Sequence, residues 1–130
     1  MNILIISADC RSIMPFRGKL IKELIQKKNK VYVLAPSINE DYELRKTLKK
    51  LGVSFVNYPL NNTSLNIYHD LFSILIITYR IICLNIDLVF SYNIKPVIYS
   101  GLVIRLIRLI RKKKPKFYPL ITGVGYVFIN

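Results

Sequence analysis

Acidic residues are scarce in this chain. Seven Asp and Glu stand against 20 Lys and Arg in 130 residues, a formal charge of +13. That balance draws the molecule toward anionic surfaces: nucleic acid, lipid headgroups or phosphorylated ligands. Histidine occurs once, as His69 in the first turn of an expected helix, where a surface role is the simpler reading. The only cysteines, Cys10 and Cys83, fall on different elements at no metal or redox spacing. No metal site is therefore expected, and the thiols read as buried or loop residues of a reducing compartment. The turn after the first apolar run, ADCRSIMP from Ala8 to Pro15, lacks G-x-G-x-x-G, so a nicotinamide or flavin cofactor has no support and none is expected. A phospho-receiver domain fares worse as well. It needs an acidic pair after strand one and an aspartate ending strand three, whereas this chain has only Asp9 and then Tyr58-Pro59. No basic leader or small-residue cleavage site precedes the first strand, which places the expected location on the cytoplasmic side. The longest apolar run, Leu71 to Leu84, contains Ser73, Thr78 and Arg80 and falls short of the ~20 residues of a membrane span. It is expected to be a buried or interfacial helix.

What is abundant is apolar surface. Hydrophobic residues make up 52% of the chain and mean hydropathy is +0.35, high for a single domain of this length, so some apolar surface should stay exposed or meet a partner. Seven of the 20 basic residues cluster in RLIRLIRKKKPK, from Arg105 to Lys116. Interleaved with Ile and Leu, Arg105, Arg108, Arg111, Lys112, Lys113 and Lys114 suit a helix lying on an anionic membrane surface. A nucleic-acid module would set its basic residues beside exposed aromatics. Most of the nine tyrosines instead fall within or next to expected strands and helices, where packing is the default, so no nucleic-acid partner is expected.

The stretch that organises the chain is DLVFSYNIKPVIYSG, Asp87 to Gly101. An apolar run (Leu88, Val89, Phe90) breaks into a polar turn (Ser91, Tyr92, Asn93) and resumes after Pro96. Proline is tolerated in a helix's first turn, so Pro96 marks a helix start with Asn93 as its cap. Lys95 then opposes the helix dipole unless an anion offsets it. Gly101 allows that helix to approach the sheet.

Around this joint the pattern repeats. Asn2–Ser7 reads as a central strand buried on both faces. A helix from about Pro15 to Lys28 follows, with Phe16, Leu20, Ile21, Leu24 and Ile25 on its apolar face. Lys30–Ala35 is the second strand. A second helix begins near Asn39, with Glu40 and Asp41 in its first turn, and stops at Gly52. Val53–Tyr58 is the third strand. LNNTSLN is a loop, and Ser64 or Asn66 caps a third helix that runs to about Leu84 with Asp70 at its positive end. Lys116–Ile121 is the fifth strand, opening into Thr122-Gly123-Val124-Gly125-Tyr126, whose glycines let backbone N–H groups approach a phosphate. The sum is a single α/β domain with a doubly wound parallel sheet of order 3-2-1-4-5. Ligands bind such sheets at the carboxyl ends of the strands, and a sheet stopping at strand five exposes an edge that invites pairing.

NILIIS, RGKLIKELIQKKNKVYVLAP, LNNTSLNIYHDL, DLVFSYNIKPVIYSG and YPLITGVGYVF, in that order, resemble the amino-terminal domain of family 4 glycosyltransferases, and specifically the bacterial branch that builds capsule, O-antigen and other surface polysaccharides on a lipid carrier. "SYNIKPVIYSG" and "ITGVGYVF" are the most specific parts. The resemblance implies a Rossmann-like domain over residues 1–130, equal to the amino-terminal, acceptor-binding half of a GT-B fold and stopping before the donor-binding domain. It implies hexosyl transfer from a nucleotide-sugar to a lipid-linked saccharide, peripheral at the inner face of the cell membrane. The nucleotide-sugar would be bound only through a missing or separate carboxyl-terminal domain, so no catalytic residue is assigned and the chain alone is expected to be inactive. The acceptor-site residues are then Arg11, Ser12 and Arg17 from the first turn, Tyr92, Asn93 and Lys95 from the fourth, and Thr122, Gly123, Gly125 and Tyr126 from the fifth, with Lys95 facing phosphate. Many members carry histidines after the fourth strand, where this chain has Phe90 and Tyr92. The alternative is a non-catalytic, membrane-recruiting scaffold subunit of a two-chain glycosyltransferase.

Overall fold

The computed structural model describes residues 1–60 and 66–121. Five parallel strands, β1 (Asn2–Ile6), β2 (Lys30–Ala35), β3 (Ser54–Asn57), β4 (Leu88–Tyr92) and β5 (Lys116–Leu120), form one sheet in the order β3-β2-β1-β4-β5. This is the doubly wound order expected from the alternation of strands and helices. Helices α1 (Ile13–Gln26) and α2 (Tyr42–Leu51) cover one face, closing Ile13, Ile21, Leu44 and Leu48 over Ile3, Ile5, Val31 and Val33. Helices α3 (Ile67–Cys83) and α4 (Ile94–Ile110) cover the other, closing Ile77, Ile81, Val103, Ile104 and Ile107 over Leu4, Ile6, Leu34 and Val89. Because β1 is sandwiched between both layers, Ile3 through Ile6 are buried without alternation.

The helix punctuation follows local chemistry with three corrections. Gly52 closes α2 at φ 78°, and Asn66 caps α3 by accepting from the Tyr68 N–H. The second helix starts later than expected: Ile38–Glu40 is a separate 3-10 turn, and Asp41 is itself the cap, accepting from the Leu44 N–H at 3.0 Å. The first helix starts two residues earlier, at Ile13 after a 3-10 turn at Cys10–Ser12. Its inner stripe is Ile13, Gly18 and Ile21, and Phe16 points to solvent. Third, Ser91 and Tyr92 are buried strand residues rather than a turn, so β4 runs on to Tyr92. Cys10 is buried as expected, but Cys83 is exposed at the end of α3.

Gly101 brings α4 close to the sheet, since a Cβ there would sit 3.4 Å from the Phe117 ring of β5. Among the described residues the outer side of β5 is unpaired. The Lys116 N–H donates to Asp87 O and the Leu120 carbonyl accepts from the Asn93 N–H, so the backbone polar groups of residues 116, 118 and 120 face β4. Those of Phe117 and Pro119 face outward, and Pro119 has no N–H to offer. The edge is therefore blunted, as prolines on edge strands generally do.

Asp87 fastens the amino end of the sheet. Its carboxylate accepts from the Asn2 N–H at 2.6 Å and pairs with Lys113 Nζ at 2.7 Å, while its backbone bonds both Asn2 and Lys116. The Asn2 N–H first, and then Lys113, hold the Asp87 carboxyl below its ordinary value. A depressed carboxyl stabilises the fold above its unfolded-state pKa, and that contribution is lost as pH falls through the lowered one. Asp87→Asn is thus expected to lower the melting temperature at neutral pH. The gap to the parent chain should close as pH drops below the ordinary aspartate value of about 4; a gap independent of pH would show that the carboxylate charge contributes nothing.

Candidate functional site

The carboxyl ends of β1 and β4 lie side by side, and the turns leaving them build a cleft. After β1, Asp9 caps the 3-10 turn by accepting from the Arg11 N–H at 3.0 Å. The turn brings Ser12 Oγ to 2.7 Å from the Asp9 carbonyl and 3.1 Å from the Tyr92 hydroxyl. Since the single Ser12 proton goes to Asp9, Tyr92 donates to Ser12. After β4, Asn93 adopts φ 74° and makes no side-chain cap on α4. Its carboxamide oxygen accepts from the Ala8 N–H at 3.4 Å instead, tying the fourth turn to the first.

One helical turn into α1, the Arg17 guanidinium stacks 4.7 Å from the centre of the Tyr92 ring and 5.6 Å from that of Phe90. The two rings are 6.2 Å apart and tilted by 46°. Ser12, Phe16, Arg17, Tyr92 and Asn93 line a cleft of about 250 Å³. Phe16 stands at its rim, 72% exposed.

The other expected site residues are placed differently. Arg11 pairs with Asp9 at 3.2 Å and lines a second, wider cleft with Glu40, Asp41 and Glu43. Four of the chain's seven acidic residues, Asp9, Glu40, Asp41 and Glu43, meet there, so Arg11 faces carboxylates whereas Arg17 faces aromatic rings. Lys95 turns toward α3: its Nζ is 3.5 Å from Asp70, and only 20% of either side chain is exposed. The anion that offsets the helix dipole at this lysine is a carboxylate of the protein. Tyr99 completes the cluster, with its hydroxyl pushed up to about 12 by burial and by its hydrogen bond to Asp70. Thr122, Gly123, Gly125 and Tyr126 lie outside the described residues. Burial first, then the charges of Asp9 and Asp41, raise the Cys10 thiol, which keeps it protonated and a poor nucleophile. Among the described residues no group of His, Cys, Asp and Glu is arranged to hold a metal.

A second feature lies on the opposite face. Ile94, Ile98, Leu102, Leu106, Leu109 and Ile110 form an exposed apolar stripe along α4, and Tyr68, Leu71, Phe72, Leu75 and Tyr79 form another along α3. Sequence reasoning anticipated exposed apolar surface and a buried or interfacial helix over Leu71 to Leu84, without saying which of its residues face outward. It also missed Phe16 at the cleft. Arg105, Arg111, Lys112 and Lys114 stand exposed at the carboxyl end of α4. Arg108 donates to the Pro115 carbonyl at 2.9 Å and Lys113 is engaged by Asp87, so these two have structural bonds of their own. No described helix is long and apolar enough to cross a membrane.

No protein-family model matches the sequence, and no curated protein matches it. Solved structures do. A glycosyltransferase from Rickettsia africae superposes with a TM-score of 0.65 at 21% identity, over 91% of this chain and 28% of its own. Acinetobacter baumannii MurG superposes at 0.61 and 17% identity, over 93% of this chain and 33% of its own. The glycotransferase of kitacinnamycin follows at 0.50 and 13% identity, over 92% and 30%. The chain spans about a third of the length of these structures. Its α/β, Rossmann-like fold is that of a part of GT-B glycosyltransferases.

Proposed function

We propose that this chain is the acceptor-binding half of a glycosyltransferase that moves a sugar from a nucleotide-sugar to a lipid-linked saccharide in surface polysaccharide biosynthesis, with the donor held by a second domain. The observation that carries this reading is the cleft at the carboxyl edge. It gathers an aromatic rim (Phe16), hydroxyl and amide groups (Ser12, Tyr92, Asn93) and a stacked cation (Arg17) in a domain folded like part of several glycosyltransferases. Such a mixture suits a sugar, which offers one apolar ring face and a circumference of hydroxyls. The exposed α3 and α4 stripes with the basic end of α4 support a peripheral position on an anionic membrane, where a lipid-linked acceptor resides.

The test is to incubate the chain with membranes and a panel of radiolabelled nucleotide-sugars, alone and together with the product of the neighbouring reading frame. Transfer only in the joint reaction is the expected result. The same apolar stripes favour one other reading, a non-catalytic subunit that recruits a catalytic partner to the membrane. A folded chain that binds vesicles and supports no transfer in either reaction would remove the first reading and favour a scaffold or an inactive fragment.

A further inference from the structure

The exposed stripe of α3 has a repeat that contact with a bilayer does not require. Tyr68, Phe72, Leu75, Tyr79 and Ile82 follow one another at steps of four, three, four and three, and are 38% to 83% exposed. Alternating steps of four and three keep side chains on one line along a helix, the pattern of a seam between two helices. The core uses a separate line on the opposite side, Ser73, Ile77 and Ile81. The stripe of α4 steps by four through Ile94, Ile98, Leu102 and Leu106, so it winds around its helix and offers no such line.

Charge and area both point to a second copy of this chain as the partner. In a molecule of charge +13, α3 holds one acid and one base, Asp70 and Arg80, whereas α1, α2 and α4 are each net positive. Two copies therefore repel least along α3. With Leu71 beside it, the stripe exposes about 800 Å², the share each partner gives to an interface of ordinary size and more than a monomer usually leaves bare.

We infer that, in solution, α3 packs antiparallel against α3 of a second copy about a two-fold axis, so that Tyr68 meets the partner's Tyr79 and Phe72 meets the partner's Leu75. Antiparallel pairing sets opposed helix dipoles side by side. The cleft of about 420 Å³ lined by Pro59, Tyr68, His69 and Phe72 then receives the partner's Tyr79. The pairing concerns the chain away from a bilayer and does not depend on the acceptor-binding reading.

Sedimentation of the full chain in lipid-free buffer, over a concentration series, is expected to reach twice the monomer mass of 15.2 kDa. The dimer should tighten as salt rises, because salt screens the repulsion between two cationic chains and leaves an apolar seam intact. Leu75→Glu should weaken it about a hundredfold, since the leucine is lost from both copies. Tyr79→Ser is the second seam variant, and Tyr42→Glu, at an exposed aromatic on α2, is the control with the dimer unchanged. Circular dichroism reports whether each variant keeps the fold. Cys10 is buried and Cys83 exposed, so a nitroxide attaches at Cys83. In the antiparallel pair the two labels lie about 30 Å apart along the helix axes. A monomer at every concentration overturns the inference, as does a label separation below about 20 Å. A dimer that weakens with salt overturns it too and assigns the contact to the acidic cleft and a basic segment. Seam variants that fold, keep the parent's mass and lose vesicle binding give α3 to the bilayer instead.

Discussion

Leu102→Glu combined with Leu106→Glu is expected to release the chain from anionic vesicles while leaving its melting temperature unchanged. The two leucines are 52% and 57% exposed on the outer side of α4, so neither supports the core. Sinking the exposed half of each into a bilayer surface is worth about 1 kcal/mol by area. Each glutamate placed against anionic headgroups forfeits about 1 kcal/mol more. The four contributions sum to about 4 kcal/mol, or roughly a thousandfold in partitioning. Neutralising one exposed arginine, Arg105→Ala, should cost about 1 kcal/mol, roughly fivefold, and only at low salt. The comparison decides between mechanisms. Co-sedimentation lost with the leucine pair but only weakened with the arginine means that burial of the stripe dominates. The opposite ranking means that the basic end of α4 acts alone, and vesicle binding untouched by either removes the membrane from the proposed function.

The largest stability effect is expected at Tyr58, which follows β3 and is 1% exposed. Its ring packs with Leu4, Ile6 and Leu34 in the α3–α4 layer, and its hydroxyl donates to the Ser7 carbonyl at 2.7 Å across the end of the sheet. Burial raises that hydroxyl's pKa, which favours the protonated form that donates this bond. Tyr58→Ala should cost about 3–5 kcal/mol through the lost ring and the cavity. Against a total of about 5–15 kcal/mol for a domain, this brings the fold close to unfolding. Tyr58→Phe keeps the ring and strands a buried carbonyl, costing about 1–3 kcal/mol. Chemical denaturation of the two variants separates packing from the hydrogen bond. A Tyr58→Phe loss as large as that of Tyr58→Ala would mean that the Ser7 bond, rather than the ring, holds β3 to β1.

The features legible in the sequence were those decided within a few residues. Buried runs such as NILII, the glycine at the end of α2, the Asn66 cap and the proline in the first turn of α4 each act through neighbours, and together they sufficed for the strand order. What sequence reasoning missed depends on partners far along the chain. Asn93 has the composition of a helix cap, yet its side chain serves Ala8, 85 residues away. Lys95 reads as a cation awaiting a ligand, yet α3 brings Asp70 to it. Ser91 and Tyr92 are polar enough to suggest a turn, but alternation along β4 sends Tyr92 beneath Arg17 and Ser91 into the opposite layer. Phe16 went astray by helical phase, since a start at Ile13 turns the inner stripe away from it. That outward turn places an aromatic ring at the rim of the cleft, so the same misplacement hid part of the candidate site.

Pro119 constrains more than self-association. Any strand that joins β5 from outside meets a ladder with a missing rung, because position 119 offers a carbonyl and no hydrogen. Every residue carries a backbone carbonyl, so in any register one carbonyl of an incoming strand finds no donor at that position. The outer margin of the domain thus costs any added strand one hydrogen bond whatever its alignment, a standing penalty on extension of the sheet.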